Sequence, residues 1–297
     1  MNHRAQICML PDGQRLHLQD GPIDLIIQAF GAAEDVARAY RAAASRFVNV
    51  LDELCGELTL LRQAIRENGP AAQGPVARRM VEAVRPYAAT YFITPMAAVA
   101  GAVAEDILQA MTDAAELTRA YVNDGGDIAL HLTPGERFVV GVVERPERPS
   151  LLGTVALDSS QPMRGIATSG WRGRSFSLGI ADAVTVLAER AAAADAAATI
   201  IANTIDLPGH PAIVRVPACE LAPDTDLGAR LITQAVGELS EADVNQALSS
   251  GVETAERLLK IGLIRSAALN LRRETRVVAK AAKLTSISVL ERNLVHA

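Results

Sequence analysis

The chain has 297 residues, 49% of them hydrophobic and 21% charged, with a net charge of −5. That balance excludes a disordered chain, and the lack of any long basic block argues against a nucleic-acid surface. Aromatics make up only 3%, so Ala, Val, Leu and Ile must fill the core, which suits close packing of helices on a sheet. Cys8, Cys55 and Cys219 form no CxxC pair, and an odd count is a poor disulfide framework. Buried thiols in a reducing compartment are expected. The first residues lack the apolar stretch of a signal peptide, and no window is apolar enough for a membrane span. A soluble, cytoplasmic protein with no membrane partner is the expectation.

Residues 13–30 read as a strand, a Gly-Pro turn and a second strand or a helix start. From Ala32 to about Arg66, Val36, Tyr40, Phe47, Leu51, Leu54, Leu58 and Leu61 recur mostly at spacings of three and four, which predicts a helix. ENGPAAQGP breaks it, and a shorter helix follows over 76–84. Arg78, Arg79 and Arg85 cluster there, as a solvated face or an anion contact. The stretch 94–114 predicts another helix, with Thr94 as N-cap and Pro95 in the first turn. Gly101 in its middle calls for close packing or a nearby ligand, since Gly weakens a helix.

The middle of the chain is strand-rich. RAYVN, DIALHL, RFVVGVVE, GTVALD and GIATS are short β-type runs bounded by turn residues. SLGIADAVTVLA adds one or two strands. A helix is predicted over 191–205, a strand at 213–217 and a helix over about 240–260 with Ser240 as its cap. ALNLRRETRVVA reads as extended. Regular βαβ alternation is missing, so the fold class is α+β, with a helical N-terminal third and one interlocked domain over 1–297.

Three constellations are candidates for chemistry. NDGGD (123–127) places Gly125 and Gly126 in a tight turn that lets a ligand approach the backbone. An ordinary hairpin turn is the alternative. The loop at 165–183 offers Thr168, Ser169 and Gly170 as donors. In the same loop, Arg172 and Arg174 suit a phosphate or carboxylate, and Trp171 suits a planar ring. A solvated loop with Trp171 folded on the core is the alternative. Asp195 and Thr199 share one helix face at i,i+4. A lone Asp in an alanine-rich helix needs a partner: a cation such as Mg²⁺ or Ca²⁺, or backbone N–H groups. The five histidines show no metal-ligand spacing, and Cys219 reads as structural.

In this order, NDGGD (123–127), ATSG (167–170), TVLA (185–188) and ADAAAT (194–199) resemble the motifs of the ApbE superfamily, whose best-known members are FAD:protein FMN transferases. The likeness is best over residues 90–205. The whole chain resembles a cytoplasmic ApbE-like branch through GPIDLII, ITPMAAVAGAVAE and YVNDGGDIALHL. The resemblance implies an α+β fold built on a mixed sheet with flanking helices. It also implies a cleft for FAD, FMN or another nucleotide, and a Mg²⁺ site. Asp195 and Thr199 would be metal ligands, joined by a backbone carbonyl near Ala98–Ala100. Gly125, Gly126, Asp127, Ser169 and Gly170 would line the nucleotide site. SFSLGIAD stands where the transferases carry His-x-x-Asp-Pro-x-Thr-Gly, and no lysine stands near VAGAVAED. The expected function is therefore Mg²⁺-assisted binding or conversion of a nucleotide-type ligand rather than standard flavin transfer. The alternatives are ligand binding without turnover, or a part in a sulfur-transfer route of the homocysteine type. A homodimer is compatible with either.

Overall fold

A computed structural model describes residues 4–65, 69–143, 151–279 and 288–289. The chain opens with strands β1 (Gln6–Met9), β2 (Leu16–Asp20) and β3 (Ile23–Phe30). Helices α1 (Ala33–Gly56), α2 (Leu58–Leu61) and α3 (Pro75–Val84) follow, then a 3-10 turn at Pro95–Ala98 and α4 (Val99–Ala114). Next come β4 (Arg119–Asp124), β5 (Asp127–Leu132), β6 (Arg137–Val143), β7 (Leu151–Asp158), β8 (Gly165–Ser169) and β9 (Ala183–Ala188). The remainder is α5 (Ala191–Thr204), β10 (Ile213–Pro217), α6 (Ala218–Leu221), β11 (Leu231–Val236), α7 (Glu241–Lys260), β12 (Ser266–Leu271), β13 (Glu274–Ala279) and β14 (Ser288–Val289). The architecture is α+β.

Nine strands form the main sheet in the order β1-β2-β3-β4-β5-β8-β9-β12-β13. Each described pairing in it is antiparallel, a more regular arrangement than the mixed sheet the resemblance implied. Alternation explains its two faces. Leu16 and Leu18, Leu25 and Ile27, and Ala120 and Val122 point to the helical side, where they join Phe47, Met80 and Ile107 in the main core. Helix α5 packs on β8 and β9, α4 packs on β4, β5 and α5, and α1 packs on α4. On the other face, Leu130, Ile166 and Leu187 meet Val155 and Leu157 of the β6–β7 hairpin in a smaller core.

Several expectations need correction. The helix predicted from 32 to 66 stops at Gly56. Thr94 stands at the N-cap position of the 3-10 turn Pro95–Ala98, with Pro95 in its first turn as expected, but its side chain makes no capping bond. Its hydroxyl donates to Asp226, and α4 starts only after Ala98. SLGIADAVTVLA supplies one strand, β9, within the one or two expected, since residues 175–182 run irregularly. The thiols are not buried: Cys8 and Cys55 are exposed and Cys219 is intermediate. Of the clustered arginines, Arg79 belongs to an ion-pair network with Asp106 (2.6 Å) and Glu105 rather than to a solvated face. The Ser240 cap is present, as a full capping box with Asp243. Among the described residues, no helix is long and apolar enough to cross a membrane.

Candidate functional site

Strands β5 and β8 pair only at Ile128–Ile166 and Ala129–Gly165. Beyond Ile166 they part, and the backbone N–H of Thr168 donates to the Asp127 carboxylate at 3.1 Å instead of to a strand. At this notch lies a cavity of about 880 Å³, within the usual size of small-molecule sites. Its lining draws on both faces of the sheet. Thr185 and Leu187 come from one face, and Asp195 and Thr199 come from the helix covering the other.

The β4–β5 turn supplies the acidic wall. Gly125 and Gly126 have φ of +63° and +118°, the pair of positive values that a two-residue hairpin favours. Asn123 Oδ1 accepts from the N–H of Gly126 at 2.8 Å. Asp124 and Asp127 are directly opposite across the ladder, so both carboxylates project to the helical side. Asp195 on α5 approaches from that side and accepts from the N–H of Gly101 at 3.1 Å. Its backbone partner thus belongs to α4 and not to its own helix start. Gly101 is required here: a Cβ would stand 2.4 Å from the carbonyl oxygen of Ala191.

Desolvation raises all three carboxyls, and the charge of Asp124 adds to it at Asp127. Burial pushes Asp124 and Asp127 each up to about 7. Burial, then the charges of Asp127 and Asp124, lifts Asp195 well above the carboxylate range. The opposing charge is Arg174, which draws Asp124 and Asp127 back down in part. Its guanidinium lies over the turn, where a Cβ on Gly125 would meet Nη2 at 2.7 Å.

Ten of the residues singled out from sequence line this one cavity: Gly125, Gly126, Asp127, Thr168, Ser169, Gly170, Arg172, Arg174, Asp195 and Thr199. Trp171 is not among them. Its indole N–H donates to Asp182 Oδ1 at 3.1 Å, and its ring packs against the main core. Arg172 donates to the same oxygen at 2.9 Å and stacks on the Trp171 ring. Asp182, 4% exposed, also accepts from the backbone N–H of Arg272. It is thus the anchor that holds the loop against the β12–β13 turn.

Sequence reasoning missed Asp124 as a site residue. The signal was there, because Asp124 is in phase with Ala120 and Val122 and so belongs on the buried face. It also missed Asp226 and Thr185, which line the cavity. Thr185 pairs its hydroxyl with that of Thr168 across β8–β9 at 2.9 Å.

A family model described as AbpE bacteria matches residues 7–277. The chain belongs to this ApbE-like family. A UPF0280 protein of Methanopyrus kandleri is 39% identical over 128 residues, covering 43% of this chain and 48% of that protein. A UPF0280 protein of Methanosarcina barkeri is 34% identical over 177 residues, covering 59% of this chain and 64% of that protein. The chain thus spans about half to two thirds of these relatives' length. Among solved structures, the flavinyl transferase ApbE of Pseudomonas stutzeri is similar over 93% of this chain and 94% of that one, at 11% identity and a TM-score of 0.46. The flavin transferase ApbE of Vibrio cholerae is similar over 93% of this chain and 98% of that one, at 14% identity and a TM-score of 0.37.

Proposed function

We propose that the cavity of this ApbE-like protein binds a flavin or another nucleotide-type small molecule together with Mg²⁺. The observation that carries this reading is the juxtaposition of Asp124, Asp127 and Asp195 with the guanidinium of Arg174 in one cavity, where the other lining arginine, Arg172, is paired with Asp182. Buried carboxylates in excess of cations are costly, and a bound cation removes that cost. The donors are oxygens, which suits a hard divalent ion rather than zinc.

The residues present fit Mg²⁺. Among the described residues, no three His, Cys, Asp or Glu side chains converge on one point. Asp195 would therefore be joined by Thr199, one turn on, and by a backbone oxygen of the Ala98–Ala100 stretch. When bound, the ion would neutralise phosphate charge and polarise a phosphoryl oxygen. Arg174 would hold a second phosphate or carboxylate oxygen. Val140, Val155, Ile166, Leu187 and Val277 give the cavity an apolar wall that suits a planar ring.

No histidine is among the described lining residues, which favours binding or hydrolysis over standard transfer to a protein. The test is to record the absorption spectrum of the purified protein, titrate FMN and FAD with and without Mg²⁺, and assay FAD for release of FMN and AMP. Mg²⁺-dependent flavin binding that Asp195→Ala abolishes is expected. Release of FMN and AMP would make the protein a hydrolase, and binding alone would make it a carrier. No flavin affinity with or without Mg²⁺ would refute the flavin reading.

A further inference from the structure

Away from the cavity, the first three strands bring together a thiol, an imidazole and a carboxylate. Cys8 on β1 is the ladder partner of His17 on β2, and its Sγ lies 3.8 Å from His17 Nδ1. On the far side of the ring, His17 Nε2 lies 2.7 Å from Asp24 Oδ1 on β3. An ionised carboxylate only accepts, so the Asp24 contact fixes the ring proton on Nε2. The Nδ1 lone pair is then turned to the thiol. Thiol, base and orienting carboxylate stand in the order that activates a cysteine nucleophile. Cys8 is exposed on an edge strand, so a reagent reaches it from solvent.

We infer that Cys8 is a reactive thiol, activated by His17 and Asp24, that undergoes exchange with low-molecular-weight disulfides. In that step Cys8 passes its proton to His17 Nδ1, and the thiolate attacks one sulfur of the disulfide. A bond forms between Cys8 Sγ and that sulfur as the original S–S bond breaks. The other half leaves as a thiolate and takes the proton from His17. The result is a mixed disulfide on Cys8 and one free small thiol. This site is independent of the cavity and of what the cavity binds.

Cys55, equally exposed, has no such partner among the described contacts and is the internal control. The protein is incubated with glutathione disulfide at pH 7.5, and modification of each cysteine is followed by peptide mass mapping. With His17 beside it to take its proton, Cys8 is readied for attack, and Cys55 is not. Cys8 is thus expected to react about threefold or more faster than Cys55. His17→Asn should bring Cys8 down to the rate of Cys55 while the rate of Cys55 stays the same. Equal rates at Cys8 and Cys55 in the unaltered protein would overturn the inference even if the variant failed to fold. A Cys8 advantage that survives in folded His17→Asn would overturn it too.

Discussion

The carboxyl of Asp124 offers a direct measure of what the cavity costs the fold. It is 4% exposed, its hydrogen-bond donor is the N–H of Asp24 at a long 3.5 Å, and Arg174 offsets its burial only in part. Burial holds it at about 7, against an ordinary 3.8 in an unfolded chain. Between those two values the folded state keeps a proton that the unfolded state releases, so stability falls as pH rises through that window. Taken alone, the difference between 3.8 and about 7 amounts to a loss of about 4 kcal/mol once the pH is above 7. Asp127 acts in the same direction at the same site, so the two losses are coupled and do not simply add. Asp124→Asn keeps the shape and the acceptor for Asp24 and removes the charge. In urea titrations the variant should match the parent at pH 4. At pH 8 it should exceed the parent by about 2–4 kcal/mol, with a flatter dependence between. Parallel curves for parent and variant from pH 4 to pH 8, or a variant less stable at pH 8, would refute the reasoning.

Two further substitutions test the frame around the cavity. Gly101→Ala should lower stability by about 2 kcal/mol in thermal or urea unfolding: the new Cβ meets backbone atoms of Ala191 and Ala192 that cannot swing aside, and the overpacking cost of about 1–3 kcal/mol outweighs the helix-propensity gain of at most about 1. Asp182→Ala should cost about 3–5 kcal/mol by stranding the donors of Trp171, Arg172 and Arg272. Since Trp171 is the chain's only tryptophan, a red shift of its fluorescence in the folded variant reports the loosened loop directly.

Where one physical rule acted alone, the fold was legible in the sequence. The 3.6-residue period marked α1, the alanine-rich run marked α5, and Ser240 with Asp243 marked the start of α7. Short β-type runs bounded by turn residues marked β4 and β5. Reading failed where rules competed. Strand β11 has the burial pattern eBBeeB and no regular alternation, and β1 is only four exposed residues. Thr94 satisfied every local sign of a helix cap, yet Asp226, more than a hundred residues away, takes its hydroxyl. The site followed the same pattern. The glycine turn and Asp195 carried local signals, so they were found. Trp171 and Arg172 had the right chemistry for a ligand, but Asp182 claimed both side chains. A tertiary competitor of that kind leaves no mark in a local reading of composition.

The position of the cavity follows from one feature of the topology. After β5 the chain leaves the main sheet to make the β6–β7 hairpin, then returns as β8 beside the strand it left. The rejoined pair holds over two residue pairs only, so the sheet opens just where the β4–β5 turn ends. An open seam exposes backbone donors that must find acceptors, and Asp127 meets that need through Thr168. Beside this seam Asp124 is buried while Asp127 and Asp195 are partly buried in the cavity wall, and desolvation raises all three. A carboxylate set that destabilises the fold is hard to explain by packing, because apolar residues of similar size would serve the fold better. On the function proposed above, a cationic or cation-bearing ligand would return the lost stability on binding. The pH dependence of the protein, and the relief by Mg²⁺ that the proposed function predicts, would then be two readings of one electrostatic imbalance.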